Sequence, residues 1–290
     1  MNNLLFISYG NGIHELEIMF SLLSVWRWNG TSGEAPRILI FTDRPERFSG
    51  LPVTVETIPH ERWVEWSGPH GFNHRRKMMA LRHALTAYEG STALLDGDTW
   101  MRRPADGLFG KIGPGRSVMH LCEGRVSELR SPTVESLAGL LRSRRISDFG
   151  SAPSVMTADA QMWNSGVVGL DPSDAGLIDI ALQCLDELCR DSSLHILEQH
   201  ALSHVLGKYT QLQETGQDVF HYWPPYLRAP FQQKLPGILG KLEPLPLPER
   251  VRRGFRFRPR PGALRLAKVA VKRVLLHAGL LKGRVKTSEW

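Results

Sequence analysis

TALLDGDTW, residues 92–100, joins a short apolar run to two carboxylates one residue apart. A run this short, closed by a polar turn, reads as a buried strand over Thr92–Leu95. It delivers Asp96 and Asp98 at its carboxyl end, the edge of an open α/β sheet where ligands bind. Two carboxylates at this spacing suit a hard divalent cation, with other oxygens and water completing the shell. Such an ion bridges phosphate oxygens and neutralises charge on a leaving diphosphate. The bare pattern also describes a polar turn after a strand. A phosphatase-type signature, a strand followed by DxDxT, fits less well. Thr99 comes one place early, Trp100 stands where the threonine belongs, and the strand is the fourth, not the first.

Upstream, Leu4–Tyr9 is an apolar run that ends at Gly10-Asn11-Gly12, and it reads as a buried first strand. Ile13, Leu16, Met19, Leu22, Leu23 and Trp26 then recur at helical spacing. RILIFT, residues 37–42, is a second strand, and Val53–Ile58 a weaker third. Asn73–Tyr88 is a helix carrying Met78, Met79, Leu81 and Leu85. The alternation over the first hundred residues predicts a parallel sheet with helices on both faces. Downstream, Ser117–Leu121 and Gly166–Leu170 are strand-like, and Val134–Arg145, Ala175–Leu188 and Leu194–Leu206 are helical. Asp218–Trp223 reads as a last strand, broken by Pro224-Pro225.

Four further segments surround the carboxylates in a fixed order. FNHRRKMMAL (72–81) precedes them. MWNSGVVGLD (162–171), LEQHALSHVL (197–206) and HYW (221–223) follow. This order resembles the GT-A fold glycosyltransferases, particularly the glycogenin-like and lipopolysaccharide-galactosyltransferase-like retaining enzymes, over residues 3–235. Those proteins have a DxD strand, a phenylalanine-asparagine-small-glycine strand, an Asp-Gln pair and a late metal-binding histidine. The resemblance implies an α/β GT-A fold with a single Rossmann-like mixed sheet flanked by helices. It implies metal-dependent transfer of a hexose from a nucleotide-diphosphate sugar, expected to be a UDP-sugar, to a saccharide or lipid-linked acceptor. Carried over by position, it makes Asp96 and Asp98 ligands of Mn²⁺ or Mg²⁺, with Gly97 between them at the donor and His221 the third ligand. Ser8 and Tyr9 would line the base pocket. Lys77, or its neighbours Arg75 or Arg76, would meet donor phosphate or sugar. Asn164 and Ser165 would lie by the transferred sugar, and Glu198 and Gln199 by the anomeric carbon.

Two departures stand out. The family's Asp-Gln is Glu-Gln here. Its histidine is followed by glycine and lysine, whereas Pro224, Pro225 and Arg228 follow His221; the Arg228 fork matches phosphate oxygens and takes the lysine's place. Retention leaves Glu198 or Gln199 to stabilise positive charge; inversion makes Glu198 the candidate base. His200 and His204 have the spacing of a zinc pair, but no intervening Glu of HExxH and no third ligand, so packing is the expectation. The competing classes are a phosphohydrolase or nucleotidyltransferase on the same cation site and a non-catalytic binder of nucleotide-sugars. A pyrophosphorylase-type opening is missing, because SYGNGIHE follows the first strand.

The 290 residues are 42% hydrophobic and 22% charged, as expected of a globular chain. Cys122, Cys184 and Cys189 form no CxxC pair, which argues for a reducing compartment. No basic leader opens the chain and no apolar window reaches spanning length, so a cytoplasmic protein is expected. The net charge of +7 is concentrated at one end: residues 249–290 hold 13 Lys/Arg against 2 Asp/Glu, leaving 23 against 27 in the body. The body therefore shows no nucleic-acid footprint. The expected organisation is a domain over 1–240, a Pro/Arg-rich linker over 241–262 and a basic amphipathic helix over 263–290. In that tail Leu264, Ala267, Val271, Val274 and Ala278 share a face beside Arg265, Lys268 and Lys272. Such a segment lies on an anionic membrane surface, suiting a lipid-linked acceptor and peripheral attachment to the inner face. Packing on the body or on a second subunit, and contact with nucleic acid, are the alternatives.

Overall fold

Along β1 (Asn3–Ser8), Leu4 and Phe6 enter one apolar cluster and Leu5 the other, because successive side chains leave opposite faces of a strand. The same split recurs in β2 (Arg37–Thr42), where Ile38 and Ile40 oppose Leu39 and Phe41. The strands are thus buried on both sides, as a helix-covered sheet requires. The computed structural model describes residues 1–10, 12–30, 35–151 and 153–259.

In chain order the remaining elements are α1 (Ile13–Asn29), β3 (Thr54–Thr57), α2 (His60–Trp66), α3 (Arg75–Ala87), β4 (Thr92–Leu95), β5 (Thr99–Met101), α4 (Asp106–Phe109), β6 (Arg116–Met119), β7 (Cys122–Arg125), α5 (Pro132–Ser143), β8 (Gln161–Trp163), β9 (Val167–Leu170), α6 (Gly176–Cys189), α7 (Leu197–Tyr209), β10 (Gln211–Glu214), β11 (Val219–His221), α8 (Pro225–Leu242) and α9 (Leu247–Gly254). Seven strands form one sheet in the order β10-β6-β9-β4-β1-β2-β3. β1, β2, β3 and β4 run parallel as expected, and β10 runs parallel to β6. β9 is antiparallel to both β4 and β6, which makes the sheet mixed. Two small antiparallel pairs, β11-β5 and β7-β8, sit apart from it. One face of the sheet is covered by α2, α3, α5, α6 and α7, the other by α1, α4 and α8.

The linker expected over 241–262 is not a linker where the structure describes it. α8 runs to Leu242, starting from Pro225 in its first turn, where a proline's missing N–H costs nothing. Leu242 is buried, and Leu245, Leu247, Val251 and Phe255 pack against the α1 side of the core. Gly254 lies so close to α1 that a Cβ there would stand 2.6 Å from Leu23 Cδ1. The proline spacing that read as linker hides an apolar face. The tail expected over 263–290 lies outside the described residues. Among those described, no disulfide joins the cysteines, and no helix is long and apolar enough to cross a membrane.

Candidate functional site

The turn after β4 is fixed from three sides. The Asp96 N–H donates to the Gly166 carbonyl (2.9 Å), and Thr99 Oγ1 donates to the Asp96 carbonyl (2.7 Å). Gly97 faces α1, where an added Cβ would stand 3.0 Å from Ile18 Cγ1 and 3.2 Å from the His14 carbonyl. β5 then pairs with β11 so that Thr99 opposes His221, and the Tyr222 N–H donates to the Asp98 carbonyl (3.0 Å). This register brings a histidine 123 positions away in sequence onto Asp98. Thr99 and Trp100 are both turned inward, Thr99 Oγ1 towards Ser21 (3.3 Å) and the Trp100 ring onto Phe20 (4.9 Å), so no phosphatase-type threonine faces the carboxylates.

Asp96, Asp98 and His221 offer ligand atoms that all lie within 4.8 Å of one another. His221 Nε2 is 3.2 Å from Asp98 Oδ1 and 4.0 Å from Asp96 Oδ2. On the far side of the ring, Nδ1 is 2.9 Å from Asn164 Oδ1, which also accepts the Gly166 N–H (3.0 Å). Two donors on one amide oxygen fix its orientation and require a proton on Nδ1, so Nε2 is the nitrogen directed at the carboxylates. Gly166 is needed here, because a Cβ would collide with the His221 ring. Asp98 Oδ2 is buried and makes no hydrogen bond, although it is ion-paired with Arg228. Two carboxylates, one unsaturated buried oxygen and an oriented imidazole fit a divalent cation.

Two basic side chains bracket the pair. Lys77 Nζ, on α3, lies 2.8 Å from Asp96 Oδ1, 3.1 Å from the Ser165 carbonyl and 3.7 Å from Glu198 Oε1. Burial pulls the Lys77 ammonium down, but Asp96 and Glu198 outweigh it and hold it above its ordinary value. Arg228 Nη1, on α8, lies 3.1 Å from Asp98 Oδ2, while its fork is gripped by Glu17 of α1 at 3.0 and 2.7 Å. Burial raises the Asp98 carboxyl, yet His221 and then Arg228 carry it well below the usual range. Glu198 is buried and accepts from Ser165 Oγ (3.1 Å), leaving Oε1 without a hydrogen bond; burial pushes its carboxyl up against the pull of Lys77.

Lys77, Asp96, Asp98, Asn164, Ser165, Glu198, Gln199, His221 and Arg228 all line one cavity of about 420 Å³. Gly97 serves as the backing of the turn and is not in its wall. Ser8 and Tyr9 are not in the wall either. Ser8 is buried, and the Tyr9 hydroxyl bonds His60 Nδ1 (2.8 Å) beneath the Arg76 guanidinium, 4.3 Å from its ring. Of Arg75, Arg76 and Lys77, Lys77 alone reaches the cavity. Arg75 forks onto Asp186 (2.8 and 3.1 Å), and Arg76 donates to the Trp63 carbonyl and Ser67. His200 is fully buried and His204 is tied to Asp148 (3.0 Å), so they do not form a metal pair.

Four contributors escaped sequence reasoning. Glu17 is fully buried on α1, but His14, Ser21 and Ser24 share its side of the helix, so the apolar periodicity did not mark it. Glu123, from β7, accepts from Gln199 Nε2 (3.1 Å) and Asn164 Nδ2 (3.4 Å). His120 stacks edge-on against His221 at 5.3 Å, and its own neighbourhood gave no signal. Gly166 was read only as the start of a strand. No protein-family model matches the chain, and no curated protein matches it in sequence.

Proposed function

We propose that the chain is a metal-dependent glycosyltransferase of the GT-A fold that takes a hexose from a UDP-sugar to a saccharide or lipid-linked acceptor with retention. The observation that carries this reading is the meeting, in one cavity, of Asp96, Asp98 and His221 with Lys77, Arg228 and Glu198. The single mixed sheet flanked by helices is the framework the reading calls for. Asp96, Asp98 and His221 would hold Mn²⁺ or Mg²⁺, which would act as a Lewis acid for charge on the departing diphosphate. Lys77 and Arg228 bind and orient phosphate oxygens, Arg228 through a fork already braced by Glu17. Asn164 holds the histidine and keeps its proton on Nδ1. Glu198 and Gln199 face the sugar. The buried Glu198 carboxylate stabilises positive charge at the anomeric carbon while the acceptor hydroxyl replaces the diphosphate on the same face. Its proton passes to the departing phosphate oxygen.

The inward-facing Thr99 argues against the phosphohydrolase alternative. The test is release of UDP from a panel of UDP-sugars with Mn²⁺. Release is expected from the native chain, and Asp98→Asn should lower it at least about 100-fold, within the range that loss of a charge-stabilising group produces. Circular dichroism checks that the variant is folded. No release from any sugar nucleotide, together with no thermal stabilisation by UDP and Mn²⁺ in combination, sinks the reading. The anomeric configuration of the product, read by NMR, decides retention.

A further inference from the structure

Trp223 is an exposed indole in the wall of the cavity that holds the site. It is 37% exposed, and among the exposed large apolar side chains of the described residues it is the one that lines this cavity. Its neighbour Tyr222 is fully buried, with its ring 5.2 Å from Phe231. His221 and Trp223, two residues apart, both turn to the cavity, and their rings lie 6.4 Å apart. The chain thus sends one aromatic into the core and offers the next to solvent beside the candidate cation ligands.

The same cavity is lined by Glu123, whose carboxylate is held by the amides of Gln199 (3.1 Å) and Asn164 (3.4 Å). An oriented carboxylate repels phosphate, so this part of the cavity does not suit the diphosphate. A flat aromatic face with an oriented carboxylate and amide suits a pyranose instead. The ring's C–H face lies on the indole, and its hydroxyls donate to Glu123 and accept from Gln199.

We propose that Trp223 and Glu123 form a subsite for a hexopyranose ring, the acceptor saccharide. The word acceptor rests on the sugar-transfer reading, whereas pyranose binding does not. The probes are methyl β-D-galactopyranoside, methyl β-D-glucopyranoside and lactose, with sorbitol as an acyclic control. The readout is acrylamide quenching of tryptophan emission in a Trp28→Phe/Trp290→Phe background, since Trp28 is the other exposed indole among the described residues. At least one pyranoside should protect the emission where sorbitol does not. Trp223→Phe should abolish the protection. Glu123→Gln and Trp223→Ala should each weaken that pyranoside about tenfold by saturation-transfer NMR, a magnitude in line with one lost aromatic or charge-assisted contact. Circular dichroism and the UDP–Mn²⁺ thermal shift check each variant. Protection that persists in Trp223→Phe, or no protection by any pyranoside while UDP and Mn²⁺ still stabilise the protein, overturns the subsite and leaves the sugar-transfer reading standing. Protection without any nucleotide response supports the subsite and removes sugar transfer.

Discussion

His221 is held at its two nitrogens by different chemistry: Nδ1 by the neutral Asn164 amide, Nε2 beside the Asp98 carboxylate. The Asn164 amide sets the ring's tautomer and aims Nε2 at the carboxylates, as an outer partner orients a ligating histidine. Asn164 is in turn held by the Gly166 N–H, and Gly166 has no Cβ to displace the ring. Asn164→Ala should therefore weaken Mn²⁺ binding about 10- to 100-fold, the usual loss when an outer partner of a ligating histidine is removed. Gly166→Ala should do the same by collision. Electron paramagnetic resonance titration of free Mn²⁺ measures both. Native affinity in Asn164→Ala would show that the Asn164 clasp does not set metal affinity. The two aspartates were legible because their signal is local, a strand ending in acid. The Asn164–Gly166–His221 clasp was not, because it depends on a register between distant strands. Glu123 and His120 were hidden for the same reason.

At the scale of elements, the strands were legible wherever both faces are buried, as in β1, β2, β4 and β9, since an unbroken apolar run marks them. The three-residue strands β5, β8 and β11 were harder, being shorter than any periodicity can register. β11 was partly anticipated, but its partner β5 was hidden inside the carboxylate motif itself. The largest difference lies in α8 and α9. Pro224-Pro225 read as a break, and the prolines at 244, 246 and 248 as part of a linker. Pro230 and Pro236 instead sit on the exposed side of α8, while Phe231, Leu235, Ile238 and Leu242 enter the core. The two readings differ in energy. If residues 241–262 were a linker, Leu242→Ala would cost nothing. With Leu242 only 3% exposed, the substitution should destabilise by about 3 kcal/mol, transfer and cavity together. A urea midpoint measured on the full chain decides between them, and an unchanged midpoint would return the segment to a linker. Because α8 carries Arg228, the same packing holds the guanidinium against Glu17 and Asp98.

In the whole molecule the site is a seam between the two helical layers. Lys77, Glu198 and Gln199 come from α3 and α7 on one face of the sheet. Glu17 and Arg228 come from α1 and α8 on the other, and the carboxylates stand at the sheet edge between them. Cohesion of both layers is thus a condition for the constellation, and α7 carries a weak point one residue beyond Gln199. His200 is fully buried, and neither ring nitrogen has a hydrogen bond. Burial, with a smaller push from His204, holds its pKa down at about 3. An unfolded histidine titrates near 6.5, so between that pH and about 3 the unfolded chain binds a proton that the native state refuses. Stability is then full above pH 6.5 and falls as the solution is acidified, with a slope approaching about 1.4 kcal/mol per pH unit. The carboxylates held low, Asp98 and Asp148, act in the same direction but only below about pH 4. From pH 7 to 5 the loss assigned to His200 is about 2 kcal/mol. His120, also buried and held down at about 3 by burial and by His221, adds to it. Urea midpoints across this window should fall with pH in the native chain and fall less in His200→Leu, which carries no titrating group. Equal slopes in the two proteins would mean that His200 takes up its proton inside the folded core, and that α7 keeps its place in acid.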